Sequence, residues 1–174
     1  SMAEAKSADT GQVIPPGGVI GVLGGGQLGR MTTMAAARLG YRVHTYCPDR
    51  NAPASHVSWH NTVASYDNRQ ALKAFAETVD VVTFEFENIP SATTEFLAAL
   101  RPTRPKPSVL HITQERLREK RFLASINVPT TRFLDVGRQE ALEAAVKALG
   151  RPAILKAAEF GYDGKGQVRI DGDM

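Results

Sequence analysis

Val19-Ile20-Gly21-Val22-Leu23-Gly24-Gly25-Gly26-Gln27-Leu28-Gly29-Arg30-Met31 decides the fold. Five residues dominated by β-branched and aliphatic side chains form a buried strand, and the glycines then allow a tight turn into a helix. Beyond the turn Leu28, Met31, Thr32, Ala35, Ala36 and Leu39 recur at spacings of three and four, which predicts one apolar helix face closed at Gly40. Gly24, Gly26 and Gly29 make a G-x-G-x-x-G between strand and helix, where bare N–H groups and the helix dipole favour an anion. A tight turn that needs glycine only for close helix packing satisfies the same pattern.

Outward from this unit, short β-rich runs alternate with helical periodicity, as in an α/β domain with a parallel sheet. Tyr41 to Tyr46 supplies the second strand and Asp80 to Phe84 a later one. Between them Asp67-Asn68-Arg69-Gln70 predicts a helix start with a reciprocal cap, followed by Leu72, Phe75, Ala76 and Val79 on one face. Ser91 is expected to cap a further helix that stops at Arg101-Pro102. The first domain thus runs over residues 18–101, and Pro102-Thr103-Arg104-Pro105-Lys106-Pro107 begins a stiff linker over 102–108.

The second unit, 109–174, is expected to hold a helix capped by Thr113, an extended Thr130 to Leu134, and an amphipathic helix through Ala141, Leu142, Ala145, Val146 and Leu149 that ends at Gly150. Ala153 to Lys156 and Gln167 to Ile170 read as a hairpin around Gly161-Tyr162-Asp163-Gly164-Lys165-Gly166-Gln167. Residues 1–17 are expected as a disordered arm, with Ser1-Met2 an expression scar.

Composition narrows the function classes. With 21 basic and 18 acidic residues in 174, the net charge of +3 is too small for a cationic surface built for nucleic acid. No apolar stretch reads as a signal peptide or a membrane span. Cys47 is the only cysteine, which excludes an internal disulfide and fits a reducing compartment, hence cytoplasm. His44, His56, His60 and His111 lack metal-ligand spacing and read as surface or half-buried histidines; Trp59 reads as packing.

Two further constellations carry chemistry. Phe84-Glu85-Phe86-Glu87-Asn88-Ile89-Pro90 lies at the C-terminal end of a strand, where ligands of open α/β sheets gather. Strand alternation places Glu85 and Glu87 on one face, able to accept from hydroxyls or an amine, although a solvated strand end fits the pattern equally. The other combines Arg116, Lys156 and the 161–167 loop. It is no Walker A loop, because strands flank it, and Lys156 in an apolar strand is costly unless it meets an anion such as phosphate. A mobile hairpin turn with a snorkelling lysine is the plainer alternative.

Taken in order, these motifs resemble the N5-carboxyaminoimidazole ribonucleotide synthetase family of ATP-grasp enzymes in purine biosynthesis. The likeness rests on Gly24 to Met31, Thr83 to Pro90, Gln114 to Lys120 and Gly161 to Gln167. It implies a Rossmann-like pre-ATP-grasp domain with a parallel sheet, followed by the start of an ATP-grasp α+β domain. The implied reaction is ATP-dependent carboxylation of aminoimidazole ribonucleotide with bicarbonate, giving ADP and phosphate. Arg116, Lys156, Gly161, Tyr162, Asp163, Gly164, Lys165, Gly166 and Gln167 would contact ATP, with Lys165 neutralising charge and Tyr162 and Asp163 near the reacting carboxyl. Gly26, Gln27, Leu28 (through its backbone), Glu85 and Asn88 would face the ribonucleotide. Mg2+ would be held by residues beyond Met174, so no metal ligand is expected in this segment, which alone should be inactive and bind ATP weakly. The resemblance further implies a homodimer for the complete protein, with no nucleic-acid or membrane partner.

Three other functions share parts of the pattern. A formate-dependent glycinamide ribonucleotide transformylase has the same layout, although Phe84 to Asn88 and Gly161 to Gly166 favour the synthetase. A nicotinamide dinucleotide-binding module would use the first 100 residues, but needs an acid ending the second strand, where Cys47-Pro48 precede Asp49. A non-catalytic interaction module could retain the whole layout.

Overall fold

The computed structural model describes residues 11, 13–86, 88–161 and 164–172. They divide into two compact units, Ser1–Leu110 and His111–Met174.

The first unit is built on a four-stranded parallel sheet of β1 (Val19–Leu23), β2 (Arg42–Cys47), β3 (His60–Val63) and β4 (Val81–Phe84), in the order β3-β2-β1-β4. Helices α1 (Gln27–Arg38), α2 (Arg69–Thr78) and α3 (Ser91–Ala98) connect the strands or follow them. Strand alternation sends Val22 and Val43 toward Ala36 of α1, while Leu23, Tyr46 and Val82 pack with Leu72 and Phe75 of α2 and Leu97 of α3. Each such fully buried side chain contributes about 1.5–3 kcal/mol.

Helix α1 corrects the expected apolar face. Its buried residues are Gly29, Thr33 and Ala36, whereas Leu28, Met31, Thr32, Ala35 and Leu39 are exposed. Small side chains at spacings of four and three let the helix lie close to the sheet, and this close approach outranks the larger apolar residues.

Capping also differs in detail. Asn68 accepts from the Ala71 amide at α2, one residue later than the expected box, and Ser91 is the first residue of α3 with Pro90 preceding it. Of the expected disordered arm, residues 1–10 and 12 lie outside the described residues, while Ile14, Pro15 and Gly17 are hydrogen-bonded. Tyr41 donates to the Ile14 carbonyl and the Gly17 amide to the Gly40 carbonyl, which holds this stretch beside the start of β2.

The proline-rich linker is likewise corrected. Thr103 bridges Val82 of β4, the Val82 amide donates to Pro102 and the Arg104 amide donates back to Val82. Thr103 is buried, and Leu110 belongs to the same core cluster as Leu97, so the first unit continues well past residue 101. Pro107 opens α4 (Pro107–Thr113), a position where its missing N–H is harmless.

In the second unit, α5 (Arg116–Ser125) and α6 (Gln139–Leu149) precede the antiparallel pair β5 (Ala153–Lys156) and β6 (Gln167–Ile170). Thr113 ends α4 and does not start the next helix. Glu115 caps α5 by accepting from both the Leu117 and Arg118 amides, and Gly150 ends α6 at a φ of 87°, a left-handed conformation that suits glycine. The Thr130 to Leu134 stretch joins no strand.

Candidate functional site

The glycine turn of the first unit is built around a carboxylate. β4 ends at Phe84, and the next residue, Glu85, donates its amide to the Leu23 carbonyl and so stays in line with β1. Its side chain then reaches across to the start of α1, where Oε1 accepts from the Gly26 amide at 2.9 Å and Oε2 from the Gly29 amide at 2.7 Å. Helix α1 has no side-chain cap of its own and no acidic residue in its first turn, so Glu85 supplies both the cap and the charge.

Gly24 and Gly29 are needed for this contact, and Gly26 leaves little room beside it. A Cβ at Gly24 would stand 2.3 Å from Glu85 Cγ, one at Gly26 3.1 Å from Oε1, and one at Gly29 2.6 Å from Oε2. The anion expected at these amides is therefore the chain's own. Among the described residues the Gln27 and Leu28 amides have no partner, and both side chains are exposed. Asn88 is exposed beyond β4; Glu87 lies outside the described residues.

The wall behind the turn was not legible in sequence. Gly25 faces Cys47 and Ala52, with a Cβ there only 2.6 Å from Cys47 Sγ and 2.5 Å from Ala52 Cβ. The Ala54 amide, in the short helical turn Pro53–His56, donates to the Gly25 carbonyl. Small residues on either side of Pro53 were the available signal. Burial pushes the Cys47 thiol up, which leaves it a packing residue and not a thiolate nucleophile.

His44 and Trp59 depart from expectation, while His56, His60 and His111 are exposed. His44 is fully buried between Thr78 and Thr62, with hydrogen bonds of 2.6 Å from Nδ1 and 2.7 Å from Nε2. Thr78 already donates to the Phe75 carbonyl, so the network assigns the proton to Nδ1, with Thr62 donating to Nε2. Trp59 is 54% exposed, with the Arg42 guanidinium 4.6 Å from its ring centroid.

In the second unit the structure brings Arg116 to the head of the glycine loop. The Arg116 amide donates to Ala158 at 2.8 Å and its Nε to Ala157 at 3.4 Å, directly after Lys156. The Ala157 amide in turn donates to Gly166 at 2.7 Å, closing the loop, while Gly164 and Gly166 take φ of 76° and 67°. Desolvation pushes the Glu115 carboxyl up, but the Leu117 and Arg118 amides and the neighbouring arginines together leave it below the usual value; this fixes the turn from which Arg116 projects. Gly161 is half-buried, Lys165 and Gln167 are exposed, and Tyr162 and Asp163 lie outside the described residues.

Lys156 is exposed, which removes the burial cost that marked it in the sequence; its place beside Arg116 remains. Elements α5, α6 and β5 surround a cleft of about 700 Å3 lined by Arg116, Leu117, Phe133, Leu142, Val146 and Lys156 among others. Apolar walls that carry four basic residues, Arg116, Lys120, Arg132 and Lys156, suit the base and phosphates of a nucleotide. Among the described residues no three His, Cys, Asp or Glu side chains cluster to hold a metal. No described helix is long and apolar enough to cross a membrane.

Residues 18–114 match the family model of the ribonucleotide synthetase preATP-grasp domain. The chain belongs to this family. Residues 121–174 of this preATP-grasp protein match the ATP-grasp domain. It is 48% identical over 158 residues to the bifunctional purine synthesis protein purC/E of Dictyostelium discoideum, covering 91% of this chain and 16% of that protein. It is 45% identical over 157 residues to the N5-carboxyaminoimidazole ribonucleotide synthase of Brucella melitensis, covering 90% of this chain and 43% of the other.

Two solved structures extend the likeness. The ADP complex of purK, an N5-carboxyaminoimidazole ribonucleotide synthetase, has a TM-score of 0.89 at 39% identity and covers 93% of this chain and 43% of its own. The Aspergillus clavatus synthase with ADP and 5-aminoimidazole ribonucleotide has a TM-score of 0.77 at 31% identity, with coverage of 89% and 41%. The preATP-grasp chain thus spans about two-fifths of the length of the synthases it matches.

Proposed function

We propose that this chain is the substrate-side and ATP-entry part of an enzyme that carboxylates aminoimidazole ribonucleotide with bicarbonate at the expense of ATP. One observation carries the reading: preATP-grasp and ATP-grasp matches follow one another along a chain 45% identical to a synthase of that name.

The γ-phosphoryl group of ATP passes to a bicarbonate oxygen, giving carboxyphosphate and ADP. The substrate amine attacks the carboxyl carbon and displaces phosphate, or attacks the CO2 left after phosphate has departed, and on either route the amine gives up a proton as the N–C bond forms. Arg116, Lys156 and Lys165, with the amides of Gly161, Gly164, Gly166 and Gln167, offset phosphate charge, most strongly as it moves in the transition state. Tyr162 and Asp163 serve the reacting carboxyl. The exposed amides of Gln27 and Leu28, with Gly26 and Asn88, face the ribonucleotide, and the lone pairs that Glu85 does not use on the glycine amides accept its hydroxyls. Mg2+, held by residues outside this segment, would neutralise the phosphate oxygens when bound.

The complete protein is read as a cytoplasmic homodimer without nucleic-acid or membrane partners. The small net charge and the single buried thiol support the solution setting. The test supplies the full-length protein with ATP, Mg2+ and bicarbonate. ADP release that rises on adding aminoimidazole ribonucleotide supports the reading, whereas stimulation by glycinamide ribonucleotide with formate transfers it to the transformylases.

A further inference from the structure

Helix α1 has two apolar faces, and the first unit uses only one. Gly29, Thr33 and Ala36 lie against the sheet, while Leu28, Met31, Ala35 and Leu39 recur at spacings of three and four on the opposite side. These stand in the open, Leu28 at 58% exposure, Met31 at 64% and Leu39 at 68%. We propose that this outer stripe is a docking surface for the part of the full-length protein that lies outside the present segment.

The composition of α1 is that of a covered helix. Its 12 residues include no acid and no lysine, and of its two arginines Arg30 turns aside to the Pro53 carbonyl. Helix α2, on the other face of the sheet, shows what a solvated side looks like here, with Arg69, Gln70, Lys73 and Glu77 exposed. A helix that is apolar all round belongs in an interior. Met34, 46% exposed, adds a second flexible thioether that can mould itself to the surface it meets.

Two observations name the occupant. The chain accounts for 43% of the Brucella melitensis synthase and 43% of the purK chain, so more than half of each lies outside the matched stretch. A second copy is the poorer fit. A helix of 12 residues is about 18 Å long and 10 Å wide, a strip on the order of 200 Å2, against the roughly 800 Å2 that each partner of a stable dimer contributes. A tethered segment needs no such area, because the covalent connection raises its effective concentration to about millimolar. This occupancy requires that the chain be part of a longer protein, as the carboxylation reading holds, whatever reaction that protein performs.

Met31 and Met34 are natural probes, because peroxide passes an oxygen atom to an exposed thioether, giving sulfoxide and water. Peptide mass spectrometry follows both residues under dilute hydrogen peroxide, in the present chain and in the full-length protein. In the present chain both should oxidise within about threefold of their urea-unfolded rate. In the folded full-length protein they should oxidise at least about tenfold more slowly, and equally so after about a hundredfold dilution. Equal, fast rates in the two proteins leave the stripe open and overturn the proposal. Protection that vanishes on dilution gives the face to a second copy, and slow oxidation in both proteins means that the present chain already covers it; either result overturns the proposal too. ADP release stimulated by aminoimidazole ribonucleotide, measured on the same full-length protein, judges the carboxylation reading separately.

Discussion

The carboxylate of Glu85 and the amide of Gly29 lie 2.7 Å apart, although 56 residues of chain separate them. This bond and its partner to Gly26 tie the end of β4 to the start of α1, so two connections of the sheet share one charged link. Removing the link should be costly. Glu85→Ala is expected to lower the stability of the first unit by about 2–4 kcal/mol in urea unfolding, because two amides lose a charged acceptor. A loss under about 0.5 kcal/mol would show that the contact contributes little.

Local features were legible in the sequence and distant ones were not. Period-two and period-3.6 patterns located β1, the α6 helix and the β5–β6 hairpin, since each is set by neighbours in the chain. The contact of Glu85 with the glycine turn was invisible because nothing local specifies where a side chain from the fourth strand will point. The buried face of α1 was misjudged for a related reason: how closely the helix approaches the sheet selects Gly29, Thr33 and Ala36 over Leu28 and Met31, and that distance is a tertiary quantity. The Thr103 bridge was hidden by prolines that read as a linker.

Gly21 of β1 packs against α2, and an added Cβ would stand 2.6 Å from Phe75 Cζ and 3.1 Å from Val79 Cγ1. Replacing a strand glycine by alanine ordinarily gains up to about 1 kcal/mol from chain entropy. Here the sign should reverse. Gly21→Ala is expected to lose about 1–3 kcal/mol through overpacking, seen as a lower urea midpoint. An unchanged or higher midpoint would contradict the packing described.

Burial, reinforced by the charge of His60, pushes His44 down to about 4. The folded state therefore favours the neutral ring, while the unfolded chain takes up its proton near 6.5. The stability that follows is fully present above pH 6.5 and is lost as pH falls from there to about 4, by about 3 kcal/mol at most. Urea unfolding at pH 7 and pH 5 checks the sign, because His44→Gln should flatten the difference. An equally steep profile in that variant would assign the loss to other groups.

The two units should differ in local stability. Among the described residues of the second, only Ala145 and Val146 are buried hydrophobics, against the large cluster around Phe75 in the first. Amide hydrogens of α5, β5 and β6 are expected to exchange at least about a hundredfold faster than those of β1 and β2. Equal protection would contradict the sparse burial described for the second unit.

The account as a whole turns on what the full-length protein does with ATP. Its most direct test is ADP release in the presence of Mg2+ and bicarbonate, measured with and without aminoimidazole ribonucleotide. The account predicts release that depends on the ribonucleotide and falls at least about tenfold when Lys165 is replaced by alanine. Release that ignores aminoimidazole ribonucleotide, or that responds instead to glycinamide ribonucleotide with formate, would contradict it.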